Sequence, residues 1–187
     1  MTKLILATSW KVKEEGNQRF IQLYDKDGNE IDGDKARWEG YFDCSNNQLT
    51  SLKGAPREVN GNFSCSHNKL TSLEGAPREV KRGFYCYKNQ LTSLKGAPRE
   101  VNGDFSCHTN QLTSLKGAPR EVNGSFYCSN NQLTSLKGAP REVDGHFYCS
   151  YNKLTNSNIK LVGSLEEIQR KIRLEKIKET VLFGVVN

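Results

Sequence analysis

Apolar positions along this chain follow one order that repeats. Phe84, Cys86, Leu91, Leu94 and Val101 are apolar, and the residues between them are mostly polar, small or charged. The order restarts at Phe105, 21 residues after Phe84. A fixed period in the range of about 20 to 50 residues marks a stack of like units rather than one closed core. The Phe-x-Cys alternation predicts a short strand with one buried face in each unit. Three residues after each Cys stands an Asn: Asn47, Asn68, Asn89, Asn110, Asn131 and Asn152. A buried amide at that point can satisfy the backbone donors and acceptors left open by a turn, unit upon unit. The glycines Gly54, Gly75, Gly96, Gly117 and Gly138 permit a sharp turn, and the prolines two residues later block strand continuation. A unit of 21 residues has no room for a full helix on its far side, so extended or short 3₁₀ segments are expected there.

The strand core Phe-x-Cys followed by Asn and then Leu resembles the leucine-rich repeat. The likeness spans residues 38–156 and recurs six times. It is most similar to the short bacterial type, which carries Leu-Thr-Ser-Leu followed by Pro. Very similar Cys-Ser-x-Asn-x-Leu-Thr-Ser-Leu-x-Gly-Ala-Pro units are familiar from tailed-phage and environmental genomes. One departure is visible: Val59 stands four residues before Phe63, where the bacterial type has three. The extra residue is expected in the Asn60-Gly61 turn. The resemblance implies a mainly β repeat solenoid of six units with caps at both ends. It also implies a binding protein with a host-directed or counter-defence role, carried by a phage and acting in the host cytoplasm.

A stacked array needs closed ends. Residues 1–37 form the first of three expected segments. Residues 1–30 alternate apolar and polar around Glu15-Gly16-Asn17 and Asp27-Gly28-Asn29, which predicts a hairpin or small meander as an N-terminal cap. A half-repeat then begins near Ile31, placing Trp38 in the Val59 column. Asp25 to Asn29 looks like the start of a calcium loop, but Glu30 replaces its glycine, so a plain turn is expected. Residues 157–187 close the other end. Ser157 stands where a second Leu belongs, and Ser164 to Glu167 forms a capping box that opens a helix. Leu161, Leu165, Ile168 and Ile172 make one stripe for the end of the array. Leu174, Ile177 and Val181 fall on another face. The apolar, β-branched tail Thr180 to Val186 reads as a strand, packed on the array or joining copies into a homo-oligomer.

Composition narrows the function. The chain has 187 residues and net charge +6. Residues 1–37 hold seven basic and seven acidic side chains, residues 38–155 hold fourteen and ten, and residues 156–187 hold six and four. No polybasic run appears, which argues against a nucleic-acid tail. No apolar run approaches a membrane span or a signal h-region. The six cysteines, each in one repeat slot, read as buried packing thiols rather than disulfides or a metal cluster, and point to a reducing cytoplasm.

Outward strand positions carry what the repeat does not fix. They hold all three histidines and six of the seven tyrosines. Tyr, His and Ser on a rigid surface resemble a binding face, because Tyr supplies large contact area at low entropy cost. Tyr85, Tyr87, Lys88, His108, Tyr127, His146, Tyr148, Tyr151, His67 and Asp104 are the candidate partner-binding residues. A strand spacing of about 4.8 Å puts Tyr127 and Tyr148 in contact. Lys88 against Asp43 and Asp104 leaves this face at net -1, so basic charge and aromatics do not coincide as a nucleic-acid binder needs. No catalytic triad, recurring carboxylate pair, phosphate loop or metal-ligand run appears. The sequence therefore predicts a non-enzymatic protein that binds a protein partner, without cofactor or metal. Nucleic-acid binding, a self-assembling structural role and a small-molecule sponge are the alternatives.

Overall fold

The computed structural model describes residues 4–154 and 161–183. The chain winds into a β-solenoid with a repeat of about 21 residues and a helix at its C-terminal end. Each turn contributes two very short strands. One set holds the phenylalanines: Phe42–Asp43, Phe63–Ser64, Phe84–Tyr85, Phe105–Ser106, Phe126–Tyr127 and Phe147–Tyr148. The other holds the valines: Glu58–Val59, Glu79–Val80, Glu100–Val101, Glu121–Val122 and Glu142–Val143. Within each set the strands pair in parallel and in register, Phe on Phe and Val on Val. The two sheets are joined through the Asn60-Gly61 turn and its equivalents, where the extra residue was expected. The far side, through Leu-Thr-Ser-Leu and Gly-Ala-Pro, is extended or turned and carries no helix among the described residues.

In-register stacking turns the apolar order into columns. Consecutive Phe rings lie 5.0–5.7 Å apart. That is stacking distance, and such pairs contribute about 0.5–1.5 kcal/mol each beyond burial. Cys44 to Cys149, Leu49 to Leu154 and Val59 to Val122 fill the remaining interior and are buried. All six thiols are free. Burial pushes Cys149 up to about 12 and the other five well above the usual thiol range, so all stay protonated and unreactive at neutral pH.

The Asn column binds turn to turn. The Asn110 side-chain amide donates to the Cys86 carbonyl at 3.1 Å and the Cys107 carbonyl at 3.0 Å, while its oxygen accepts the Leu91 N–H at 2.9 Å. Asn68, Asn89, Asn131 and Asn152 repeat this pattern. The residue two after each Cys is left-handed, with φ between 52° and 59° at Asn46, His67, Lys88, Thr109, Asn130 and Tyr151. That kink turns the chain off the Phe sheet. The glycine of Gly-Ala-Pro is also left-handed, φ 94° at Gly96. A side chain there would strike the backbone of the turn below.

The hairpin Ser9–Glu15 with Gln18–Tyr24 forms as the alternation predicts, and Glu30–Ile31 adds a third strand. It lies against the first turn: the Ile21 N–H donates to the Lys53 carbonyl at 3.1 Å, and the Thr50 N–H to the Arg19 carbonyl at 3.1 Å. Trp10 and Trp38 cover the first Phe ring, 5.6 and 5.0 Å from Phe42. Trp38 pairs with Val59, as its column predicts. Ile5–Ala7 departs from the expected hairpin and extends the Val sheet in parallel beside Ala36–Trp38. Alternation fixes a strand's buried face but not its partner.

At the other end, Val162–Gly163 pairs antiparallel with Phe147–Tyr148. Ser164 and Glu167 exchange hydrogen bonds as a capping box, 3.0 and 3.2 Å, and open the helix Leu165–Phe183. Leu161 and Ile168 are buried against the last turn, while Leu174 and Ile177 are exposed on another face. The helix runs to Phe183, so Thr180–Phe183 is helical rather than a strand. The side chains at Ser157 and at Val185 and Val186 lie outside the described residues. Asp25 accepts the N–H groups of Asp27 and Asn29, both at 2.9 Å, in a plain turn.

Candidate binding surface

The outer face of the Phe sheet carries four columns. Counted from each Cys they lie three before, one before, one after and two after. The Phe and Cys side chains point inward, so the intervening residues point out. The column one after Cys reads Ser45, Ser66, Tyr87, His108, Ser129, Ser150. Tyr87 and His108 stack face to face with centroids 4.6 Å apart and planes 9° apart. His67 meets the Tyr87 ring edge-on at 5.4 Å. The column one before Cys reads Asp43, Ser64, Tyr85, Ser106, Tyr127, Tyr148. Tyr127 and Tyr148 stack at 4.6 Å with planes 4° apart. His146 adds its ring to Tyr148 at 6.0 Å.

Six of the ten candidate residues are therefore rings in two groups on this one face. Tyr85 belongs to neither stack. It lies along its own strand, with its hydroxyl where a side chain at Gly83 would stand. Burial, and after it the nearby Asp104 carboxylate, raises its hydroxyl above the ordinary tyrosine range. His108 is lowered, first by burial and then by Lys88 and His67, so it is neutral at pH 7. Lys88 and Tyr151 occupy the left-handed turn and are exposed. Tyr151 is 73% exposed and lies at the rim rather than in a stack.

Three features of this face were hidden from sequence reasoning. Asp104 holds the scaffold as well as the surface: its Oδ1 accepts the Ser125 N–H at 2.8 Å. Asn62 does the same for Gly83, and Ser125 for His146, along one column. Ser64, Ser66 and Ser106 are buried despite their outward positions. Ser45 and Ser64 share a hydrogen bond of 2.6 Å, and Ser64 donates to Ser66 at 3.4 Å. Tyr41, at the first turn, has its hydroxyl raised mainly by burial. Each of the three buried serines stands beside a tyrosine of the next strand in its own column.

Among the described residues no three His, Cys, Asp or Glu side chains converge as a metal site, and no helix is long and apolar enough to cross a membrane. No family model, no curated protein and no solved structure matches this chain.

Proposed function

We propose that this chain is a leucine-rich-repeat-type binding module without catalytic activity, holding a protein partner on the outer face of its Phe sheet. The N-terminal hairpin and the C-terminal helix act as its caps. The two ring stacks carry the reading. Tyr87 on His108 and Tyr127 on Tyr148 fix large side chains on a hydrogen-bonded scaffold before any partner arrives. Side chains already ordered lose little entropy on binding, and buried aromatics often contribute 2 kcal/mol or more at an interface centre. The local charge of Asp43, Lys88 and Asp104 favours a protein over a polyanion. Similarity to phage repeat proteins supports a host-directed role in the cytoplasm.

The test is comparative. Affinity capture uses wild type and a Tyr87→Ala, Tyr127→Ala double variant, with cross-linking to locate the contact. The double variant should bind the captured partner about a hundredfold more weakly while remaining folded. Doubling the salt should matter much less. Indifference to the two changes, with steep salt dependence, would transfer the surface to nucleic acid.

A further inference from the structure

The column one before Cys is interrupted between Tyr85 and Tyr127, at Ser106. Ser106 pairs in register with Tyr85 on one side and Tyr127 on the other. Tyr127 gives one ring face to Tyr148, so its other face turns toward the Ser106 strand. Tyr85 has no ring partner among the described residues. Asp104 and His108 stand two residues to either side of Ser106 on the same face. The result is a gap with a ring at each side, a buried hydroxyl below, a carboxylate at one end and an imidazole at the other.

We propose that this gap is a subsite for the planar guanidinium of an arginine on the partner, a proposal that rests on the protein-binding reading. Strands two apart are separated by about 9–10 Å, so a group centred over Ser106 lies about 5 Å from each flanking strand's ring column. A cation within about 6 Å of an aromatic centroid is attracted by its face. The guanidinium is flat and weakly hydrated, and it can stack while its edge donates hydrogen bonds, which an ammonium cannot do. Asp104 supplies the acceptor: Oδ1 is taken by the Ser125 N–H, and Oδ2 remains for the ligand. His108, neutral at pH 7, does not repel the cation. Lys88, the one basic side chain on this face, is exposed in the turn beyond His108.

The probes are the peptides Gly-Arg-Gly, Gly-citrulline-Gly and Gly-Lys-Gly, followed by NMR of isotope-labelled tyrosine rings. The arginine peptide should shift Tyr85 and Tyr127 saturably, with citrulline and lysine binding about tenfold or more weakly. Asp104→Asn keeps the acceptor for Ser125 and removes the charge, so it should weaken arginine binding by a similar factor. Equal binding of arginine and citrulline to the wild-type protein overturns the proposal without reference to any variant. So does full arginine affinity in a folded Asp104→Asn protein, or a response confined to other tyrosines. If the peptides fail while Tyr87→Ala, Tyr127→Ala still abolishes partner capture, only the arginine assignment falls.

Discussion

Asn89→Ala separates the hydrogen-bonded ladder from simple packing. The Asn89 amide donates to the carbonyls of Cys65, Cys86 and Tyr87 at 3.0, 3.2 and 3.4 Å, and its oxygen accepts the Leu70 N–H at 3.0 Å. The losses are unequal. The Cys65 carbonyl keeps the Asn68 amide and the Cys86 carbonyl keeps that of Asn110. The Leu70 N–H is left with nothing, and an orphaned buried donor costs about 1–3 kcal/mol. Adding the weakened acceptors, the expected destabilisation is about 2–4 kcal/mol. At about 2–4 °C per kcal/mol for a chain of this size, the melting temperature falls by about 4–16 °C. Asn47 is the internal control. Its amide donates to its own turn, at the Ser45 carbonyl, and the Leu49 N–H is already held by Asn68. Asn47→Ala therefore orphans no donor and should cost about 1 kcal/mol or less. Asn89→Asp keeps an acceptor for Leu70 but points an anion at three carbonyls, so it should be at least as damaging at pH 7 and recover on acidification. Urea and thermal melts of the three variants decide the matter. Equal losses for Asn89→Ala and Asn47→Ala would falsify the ladder as the source of stability.

Thr109 is β-branched and held at φ 55°, where the equivalent turns use Asn46 and Asn130. Thr109→Asn should therefore stabilise by about 0.5–1 kcal/mol, read as a higher urea midpoint at unchanged slope; a loss of stability would show that the turn carries no strain. His108 has its imidazole lowered by burial, so the folded state resists protonation. Its contribution is complete above the unfolded value of about 6.5 and is lost as the pH falls toward the lower folded value. The melting temperature should drop between pH 7.5 and 5.5, and His108→Gln should flatten part of that drop; an unaltered profile would remove the assignment.

Legibility followed the periodicity. Whatever recurs every 21 residues could be placed from the sequence, because in-register stacking makes like residues neighbours. The Phe stack, the Asn bridges and the Trp38–Val59 pairing belong here. So does the Ser164–Glu167 cap, which is a local motif. What escaped depends on backbone sign or on partner choice. Nothing in Lys88, Thr109 or Tyr151 announces a positive φ, since only Asn and Gly are at ease there. Ile5–Ala7 alternates like the hairpin beside it, yet it joins the other sheet. The burial of Ser64, Ser66 and Ser106 comes from neighbouring turns, so it was invisible strand by strand. Asp104 looked like a free surface charge because its Ser125 partner lies one full turn away.

The two sheets differ in a way that bears on which one can hold a specific partner. On the Val sheet the column before Val is Glu at five successive turns, while the residue after Val reads Asn60, Lys81, Asn102, Asn123 and Asp144. Glu58 faces Glu79, Glu100 faces Glu121 and Glu121 faces Glu142 in register. Like charges directly opposite destabilise a pair. Neighbouring cations offset this, with Lys81 3.0 Å from Glu79 and Arg120 3.3 Å from Glu121. A partner resting on the Glu column alone would find an equivalent position after sliding by one strand, about 4.8 Å, so that column would not hold it at one register. The Phe sheet has no such symmetry. Its two central columns run Asp, Ser, Tyr, Ser, Tyr, Tyr and Ser, Ser, Tyr, His, Ser, Ser. A slide of one strand toward the C-terminal end sets Ser106 where Tyr85 stood and moves the Tyr87–His108 stack onto His108 and Ser129. An occupant shaped to the gap between Tyr85 and Tyr127 meets a different surface at every other register. Specificity requires that wrong registers be worse than the right one. The Phe sheet meets that requirement in both of its central columns, while the periodic columns beneath it keep the rings in place.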